Sequence, residues 1–305
     1  MRRVRASSGV AVLFALAVIG GCAPAAAPEG TPFERALARV DGPFGGRIEF
    51  IDSRGLTAAA AGGGPWAGLV GGTGGALDTY RGALADVLDI DLGRADAVLA
   101  AGNPPQQVTL VAGGQDEAGV RAAATAAGWT GDDVLRLGLS AEQPLSLVAG
   151  TLRPLGADVA VGGPDAPVDA VDGPGPRLAE DASVAAMARC LGDALIAVVS
   201  SGVTPQEPLR GVGLRRDPAA PDAPPLNVLC VAGDGATAVG ISEAMWSGRS
   251  ASTGQPYSQY LSDPQVEELG GDVPTVRMVA RTAPGGPQTF LLQALEIGDL
   301  PGLPE

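Results

Sequence analysis

The side chains in this sequence that could do chemistry are three cysteines, 34 carboxylates and a few serines beside glycines. The sequence contains no histidine, and all 20 of its basic residues are arginine, so lysine is absent too. Histidine and lysine are the usual activators of serine and cysteine nucleophiles, and histidine is a common zinc ligand. The composition therefore excludes Ser–His–Asp and Cys–His catalysis, histidine-ligated zinc and Schiff-base chemistry. We therefore expect that the protein is not an enzyme and that it has no catalytic residue, metal site or cofactor.

The serines and carboxylates lack the spacing that their chemistry needs. The serines at 200–202 and 250–254 form no G-x-S-x-G turn, and no usual base is present to activate them. Asp89 and Asp91 begin like a calcium loop, but Gly93 stands where an oxygen ligand is required. A glycosidase-type pair of carboxylates stays open as a minor alternative, because a sequence gives no distances between side chains.

The first cysteine ends a composite pattern at the N-terminus. Arginines at 2, 3 and 5 precede an apolar run at 10–19. A run of this length is too short to span a bilayer but suits the hydrophobic region of a signal peptide. It leads into Ile19-Gly20-Gly21-Cys22, an aliphatic residue and two small residues before a cysteine. The whole pattern resembles the signal peptide and lipobox of bacterial lipoproteins.

This resemblance implies cleavage before Cys22, with Ile19, Gly20 and Gly21 recognised by the lipoprotein signal peptidase. It also implies that the Cys22 sulfur carries a diacylglycerol, so that acyl chains of the palmitate type anchor the protein stably. Residues 1–21 would be the signal peptide, and 22–31 the lipidated cysteine with a flexible Pro/Ala/Gly tether. The expected location is the extracytoplasmic side of the cell membrane. An ordinary secretory signal with a coincidental cysteine is the alternative.

The remaining cysteines, Cys190 and Cys230, form a pair once Cys22 is lipidated. Disulfides persist outside the cytoplasm, so the sequence predicts a bridge between them. Two separate buried thiols that pack as small apolar side chains are the alternative.

The charge limits the partners of the folded part. The chain carries a formal charge of −14, which repels nucleic acid and anionic headgroups, so we expect no nucleic-acid partner. Aromatic residues make up only 4%, which argues against stacking platforms for sugars or single strands. The expected partners are the membrane, through the anchor on Cys22, and other envelope proteins.

The pattern of strands and helices predicts an α+β fold with a mostly antiparallel sheet and helices packed on one face. A weak internal echo between 108–114 and 228–234 favours two similar lobes, at 32–176 and 177–305. One continuous domain is the alternative. Among the individual elements, we expect a helix over 92–101 and a strand over 288–296.

Three functions compete on these observations. The first is a non-enzymatic, membrane-anchored envelope protein with an accessory or interaction role. The second is a small-molecule-binding lipoprotein with a cleft between the lobes, in which Arg215 and Arg216 would meet an anionic ligand. The third is a carboxylate-only hydrolase. We expect Trp66, Trp129 and Trp246 in the core or at its edge, with Trp66 the first to consider as a ligand contact because it lies in a glycine-rich segment.

Overall fold

The computed structural model describes residues 30–43, 45–71, 75–201 and 208–303. The predicted signal peptide (1–21), Cys22 and all but the last two tether residues lie outside the described residues. Within the described ranges, no helix is both long and apolar enough to cross a bilayer.

The strands form one antiparallel sheet of 11 strands. With the helices around it, this sheet confirms the predicted α+β class. In the first half of the chain, the elements are α1 (Pro32–Leu37), β1 (Arg47–Ile51), α2 (Ser53–Ala60), α3 (Arg81–Leu88), β2 (Ala97–Ala101), β3 (Val108–Ala112), α4 (Glu117–Ala126), β4 (Leu135–Arg136), α5 (Ser146–Ala149), β5 (Thr151–Leu155) and β6 (Asp158–Gly162). In the second half, they are α6 (Ala182–Leu191), β7 (Ala194–Ser200), β8 (Arg210–Arg215), β9 (Leu226–Ala232), α7 (Gly235–Ser247), β10 (Leu261–Leu269), β11 (Thr275–Thr282) and α8 (Phe290–Glu296).

The two halves of the chain repeat one topology. The spatial order of the strands is β10-β11-β9-β8-β7-β1-β2-β3-β6-β5-β4. When α2, α3, β4, α5 and α8 are set aside, each half runs helix, three strands, helix and two strands, and in each half the last strand pairs with the third. The sequence echo at 108–114 and 228–234 begins in β3 and β9, which hold the same place in the two repeats. The repeats meet where β1 pairs with β7, so the sheet continues across the boundary.

The helices cover both faces of the sheet, whereas the sequence analysis predicted helices on one face. Helices α1 and α6 pack on the face that carries Ile48, Phe50 and Val199. On the opposite face, α3 and α4 pack over the first repeat, and α7 and α8 pack over the second. Apolar residues therefore point to both sides of the central strands. This explains why those strands show apolar runs instead of an alternating pattern.

Two expected elements are wrong. The segment expected as a helix over 92–101 contains β2, which lies between β1 and β3 in the sheet. Its alanine-rich sequence favours a helix locally, but pairing on both edges outweighs that preference. The segment expected as a strand over 288–296 contains α8, in which Phe290, Leu291 and Ala294 are buried at helical spacing.

Four of the described helices begin at an aspartate. The side chains of Asp52, Asp116, Asp181 and Asp234 accept hydrogen bonds from backbone N–H groups in the first turns of α2, α4, α6 and α7. Each bond satisfies a donor that the helix itself leaves unpaired. Part of the acidic surplus thus has a local structural role, and Asp116 and Asp234 play it at matching places in the two repeats.

A disulfide bridge joins Cys190 of α6 to Cys230 of β9, as predicted. The Cα atoms of the two cysteines are 6.0 Å apart, and both side chains are fully buried. The bridge ties the helix layer of the second repeat to the middle of its own sheet.

Replacing both cysteines, Cys190→Ala with Cys230→Ala, should lower the free energy of unfolding by about 4 kcal/mol, because the bridge closes a loop with a sequence separation of 40. Urea denaturation of the full chain measures the change. Reductant should lower the midpoint of the wild-type protein and leave that of the double variant unchanged. An unchanged wild-type midpoint under reductant would contradict a bridge that stabilises the fold.

Candidate functional site at the repeat junction

The pairing of β1 with β7 brings a set of polar and apolar side chains together at the repeat boundary. Glu49 pairs with Val198, and Ile51 pairs with Ile196. Directly paired residues of an antiparallel sheet share a face, so these side chains point to the side opposite Ile48 and Phe50. That side is the one on which α8 packs.

A pocket of about 380 Å³ lies over this part of the sheet, and we call it the junction pocket. Its volume falls within the range of small-molecule sites. The two central strands and helix α8 provide most of the lining, and Asp78 of the 3₁₀ segment Gly75–Tyr80 closes another side. The rest of the lining includes Arg47, Glu49, Ile196, Val198, Leu292 and Glu296.

Arg47 connects the two repeats inside the junction pocket. Its Nε donates to Oε1 of Glu49 at 2.5 Å, and its Nη2 donates to Oε1 of Glu296 on α8. Burial by itself would lower the pKa of Arg47, but the hydrogen bond to Glu296 and the interactions with Glu49 outweigh it and raise that pKa. Arg47 therefore stays charged and fixed between two carboxylates.

The charges that line the junction pocket are mostly negative. Three carboxylates, those of Glu49, Asp78 and Glu296, face one guanidinium, that of Arg47. Arg81 bonds to Asp78 from outside the lining at 2.6 Å. Even with Arg81 counted, negative charge is in excess. The pocket thus combines an apolar surface with surplus carboxylates, an arrangement suited to binding an organic molecule.

A second cavity, of about 490 Å³, lies beside α1 and α2 and contains Arg35, Arg39 and Arg54. Two of these arginines are already paired. Arg39 bonds to Asp172 and Asp158, and Arg54 pairs with Asp96. The hydrogen bonds that Arg39 donates to Asp172 oppose the effect of burial, and together with the interactions with Asp158 they raise the pKa of Arg39. Because these guanidinium groups are committed to carboxylates, this cavity offers less to a ligand than its three arginines suggest.

The structure places the residues that the sequence suggested for ligand binding outside the junction pocket. Arg215 ends β8, and Arg216 follows it on the surface and donates to the backbone oxygen of Pro221; neither lines the pocket. Trp66 is buried in a 3₁₀ segment, where its Nε1 donates to the oxygen of Ala223 at 3.2 Å, so it has a core role.

The expectation for the other tryptophans holds for one of them. Trp129 is buried, and its Nε1 donates to the oxygen of Ala149. Trp246, expected in the core or at its edge, is instead 80% exposed on α7. Its neighbour Met245 takes the buried position, which the local helical spacing determines.

The serines at 250–254 form a structural cluster around Asp299. The carboxylate of Asp299 accepts hydrogen bonds from the hydroxyls of Ser250 and Ser252, the N–H groups of Ala251 and Ser252, and the hydroxyl of Tyr257. Burial would raise the pKa of Asp299, but these hydrogen bonds, led by the one from Ser250, lower it below the usual range. A carboxylate with a low pKa is a poor base, so the cluster fixes the loop and does not activate its serines.

Sequence reasoning missed the polar residues of the junction pocket. Arg47 and Glu49 lie within one short apolar strand, and two charged residues at alternate positions of such a strand were the available signal. Glu296 lies far along the chain on a helix that the sequence did not predict, so nothing local connected it to Arg47.

Within the described ranges, no group of three or more histidine, cysteine, aspartate or glutamate side chains could hold a metal ion. No family model, curated protein or solved structure matches this chain.

Replacing Asp299 with asparagine should reduce the free energy of unfolding at pH 7 by about 2 kcal/mol, because buried donors lose a charged acceptor. The folded-state pKa of Asp299 is lowered, so its contribution is present above the ordinary aspartate pKa and is lost as the pH falls. The difference in the free energy of unfolding between wild type and Asp299→Asn should therefore become smaller below about pH 4. Urea denaturation across this pH range measures it.

The control for this measurement is Asp222→Asn, because Asp222 is exposed. It should change the free energy of unfolding by less than about 0.5 kcal/mol both at pH 7 and at acidic pH. The ordinary aspartate pKa is about 4. If the difference in the free energy of unfolding between wild type and Asp299→Asn stays constant down to pH 2, Asp299 does not stabilise the fold as an ionised acceptor.

Proposed function

We propose that this protein is a lipid-anchored lipoprotein of the extracytoplasmic side of the cell membrane, with a non-enzymatic binding or accessory role in the envelope. In this proposal the folded domain begins at about residue 32, and a short tether connects it to an acylated Cys22. Its role is to present surfaces and a pocket to other components, and it does not transform a substrate.

The Cys190–Cys230 bridge is the observation that carries this proposal. Structural disulfides are typical of compartments outside the reducing cytoplasm. The chain has three cysteines, and the bridge uses two of them. Cys22 is thereby left as the one thiol for lipidation, in the sequence context that resembles a lipobox. Bridge and lipobox support export for independent reasons.

The chemistry of the side chains supports a non-enzymatic role. The sequence has no histidine or lysine, and the buried Asp299 carboxylate beside the serines has a lowered pKa. In the junction pocket, Glu49 and Glu296 both bond to Arg47, which holds them as ion-pair partners. These observations disfavour the carboxylate-only hydrolase.

The anchor is tested by the intact mass of the full chain purified from membranes of a lipoprotein-processing bacterium. The expected mass corresponds to cleavage before Cys22 with acyl chains added, and reduction should add one hydrogen to each sulfur of the bridge. The matched control, Cys22→Ser, should carry no acyl chains. A wild-type mass without acyl chains would refute the anchor, and cleavage at another residue would favour an ordinary secretory signal.

A small-molecule-binding role is a second candidate, and the junction pocket favours it. The pocket has the volume of a ligand site and lies at the pairing of β1 with β7. Its lining joins an apolar surface to a few charged groups. Small-molecule sites commonly have this composition.

Three probes that share one phenethyl body test this second role: phenethylammonium, 2-phenylethanol and 3-phenylpropanoate. At least one should bind the full chain with a dissociation constant below about 1 mM. Gln293→Trp adds a large ring at an exposed position of the pocket lining and should abolish binding. Leu139→Trp, at a position 70% exposed and outside the lining, should leave it unchanged. Calorimetry that shows no binding of any probe would reject the role.

A further inference from the structure

We propose that the junction pocket selects organic cations, in which an ammonium or guanidinium group is carried on a compact apolar body. This inference rests on the small-molecule-binding role and names the ligand class for it. Three features of the pocket carry it: the sign of the lining charge, the unused oxygens of two glutamates, and the apolar side chains beside them.

The sign of the lining charge excludes an anion as the preferred ligand. The guanidinium of Arg47 is the single cationic group in the lining, and two carboxylates hold it from either side. An anion that approached Arg47 would have to displace one glutamate and face the other at close range. Like charges at such separations repel by several kcal/mol in a partly buried site.

The two glutamates offer free acceptors. Each uses Oε1 to bind Arg47. Among the residues that the structure describes, neither Oε2 atom accepts a hydrogen bond. A ligand ammonium could therefore donate to Oε2 of Glu49 or Glu296 without breaking the ion pairs with Arg47. Charge-assisted hydrogen bonds of this kind are about twice as strong as neutral ones.

Apolar side chains lie beside these acceptors. Ile196 and Val198 of β7 and Leu292 of α8 share the lining with the glutamates. Ile196 and Val198 are almost fully buried, so they form a fixed floor with little surface left to cover. Leu292 is half-buried, so a ligand that places its apolar body over Leu292 removes hydrophobic surface from water, which favours binding.

The charge of the whole protein acts in the same direction. With a net charge of −14, the field around the protein raises the local concentration of cations and lowers that of anions. This long-range effect is screened by salt, whereas the contacts inside a partly buried pocket are screened less. Preference for a cation that persists at high salt therefore reports on the pocket and not on the overall charge.

The test compares the three probes by calorimetry on the full chain in high salt. Phenethylammonium should bind at least about tenfold more tightly than 2-phenylethanol, and 3-phenylpropanoate should bind most weakly. Glu49→Gln and Glu296→Gln should each weaken phenethylammonium about tenfold. The double variant leaves the charge of Arg47 without its glutamates, so it should reverse the preference toward 3-phenylpropanoate.

The matched control is Glu267→Gln, which also removes a carboxylate bound to an arginine, Arg277, but on the edge strand β10 outside the pocket. It should leave all three affinities unchanged. If the probes bind and are blocked by Gln293→Trp without preference for the cation, the ligand class is wrong while the binding role survives. If no probe binds, both fail. Glu296 is more than half exposed, so Glu296→Gln keeps the test valid if Glu49→Gln does not fold.

Discussion

The antiparallel pairing of β1 with β7 is the constraint on which the rest of this structure depends. Each repeat supplies five strands in the same order, the first repeat adds β4 at the edge, and this central pair joins the two sets into one sheet. The pairing sets the register of Glu49 against Val198 and so determines which side chains meet at the boundary. A shift of one residue would turn every side chain of β1 to the other face. Both the shared core and the junction pocket follow from that register.

Coverage of both faces explains how a long sheet with short strands is stable here. Helices α1 and α6 bury one face, and the remaining packed helices bury parts of the other. The disulfide connects α6 to β9, so one of these layers is covalently joined to the sheet beneath it. The bridge also restricts the conformations of the unfolded chain, which stabilises the folded arrangement.

Charge has three separate uses in this acidic chain. Aspartates cap four of the described helices, Asp299 fixes the loop at 250–257, and the junction pocket keeps carboxylates in excess over its one guanidinium. The first two uses are structural, since each carboxylate is satisfied by donors of the protein itself. The third differs because Glu49 and Glu296 line a cavity and their Oε2 atoms accept no hydrogen bond from the residues that the structure describes. That difference separates these two carboxylates from the structural ones, and it is the basis of the proposal that the pocket binds an organic cation.

The sequence by itself determined what depends on composition and local order: the α+β class, the pairing of Cys190 with Cys230, the exclusion of histidine and lysine chemistry, and the echo between β3 and β9. These are set by residue type or by neighbours along the chain. Only the tertiary structure decided that 97–101 is a strand, that 290–296 is a helix, and that helices lie on both faces. The pocket belongs to this second group, because Arg47 and Glu296 meet only after β1 pairs with β7 and α8 packs over them. Contacts between residues so distant in the chain depend on long-range pairing and packing, which outweigh local preference and leave no local signal in the sequence.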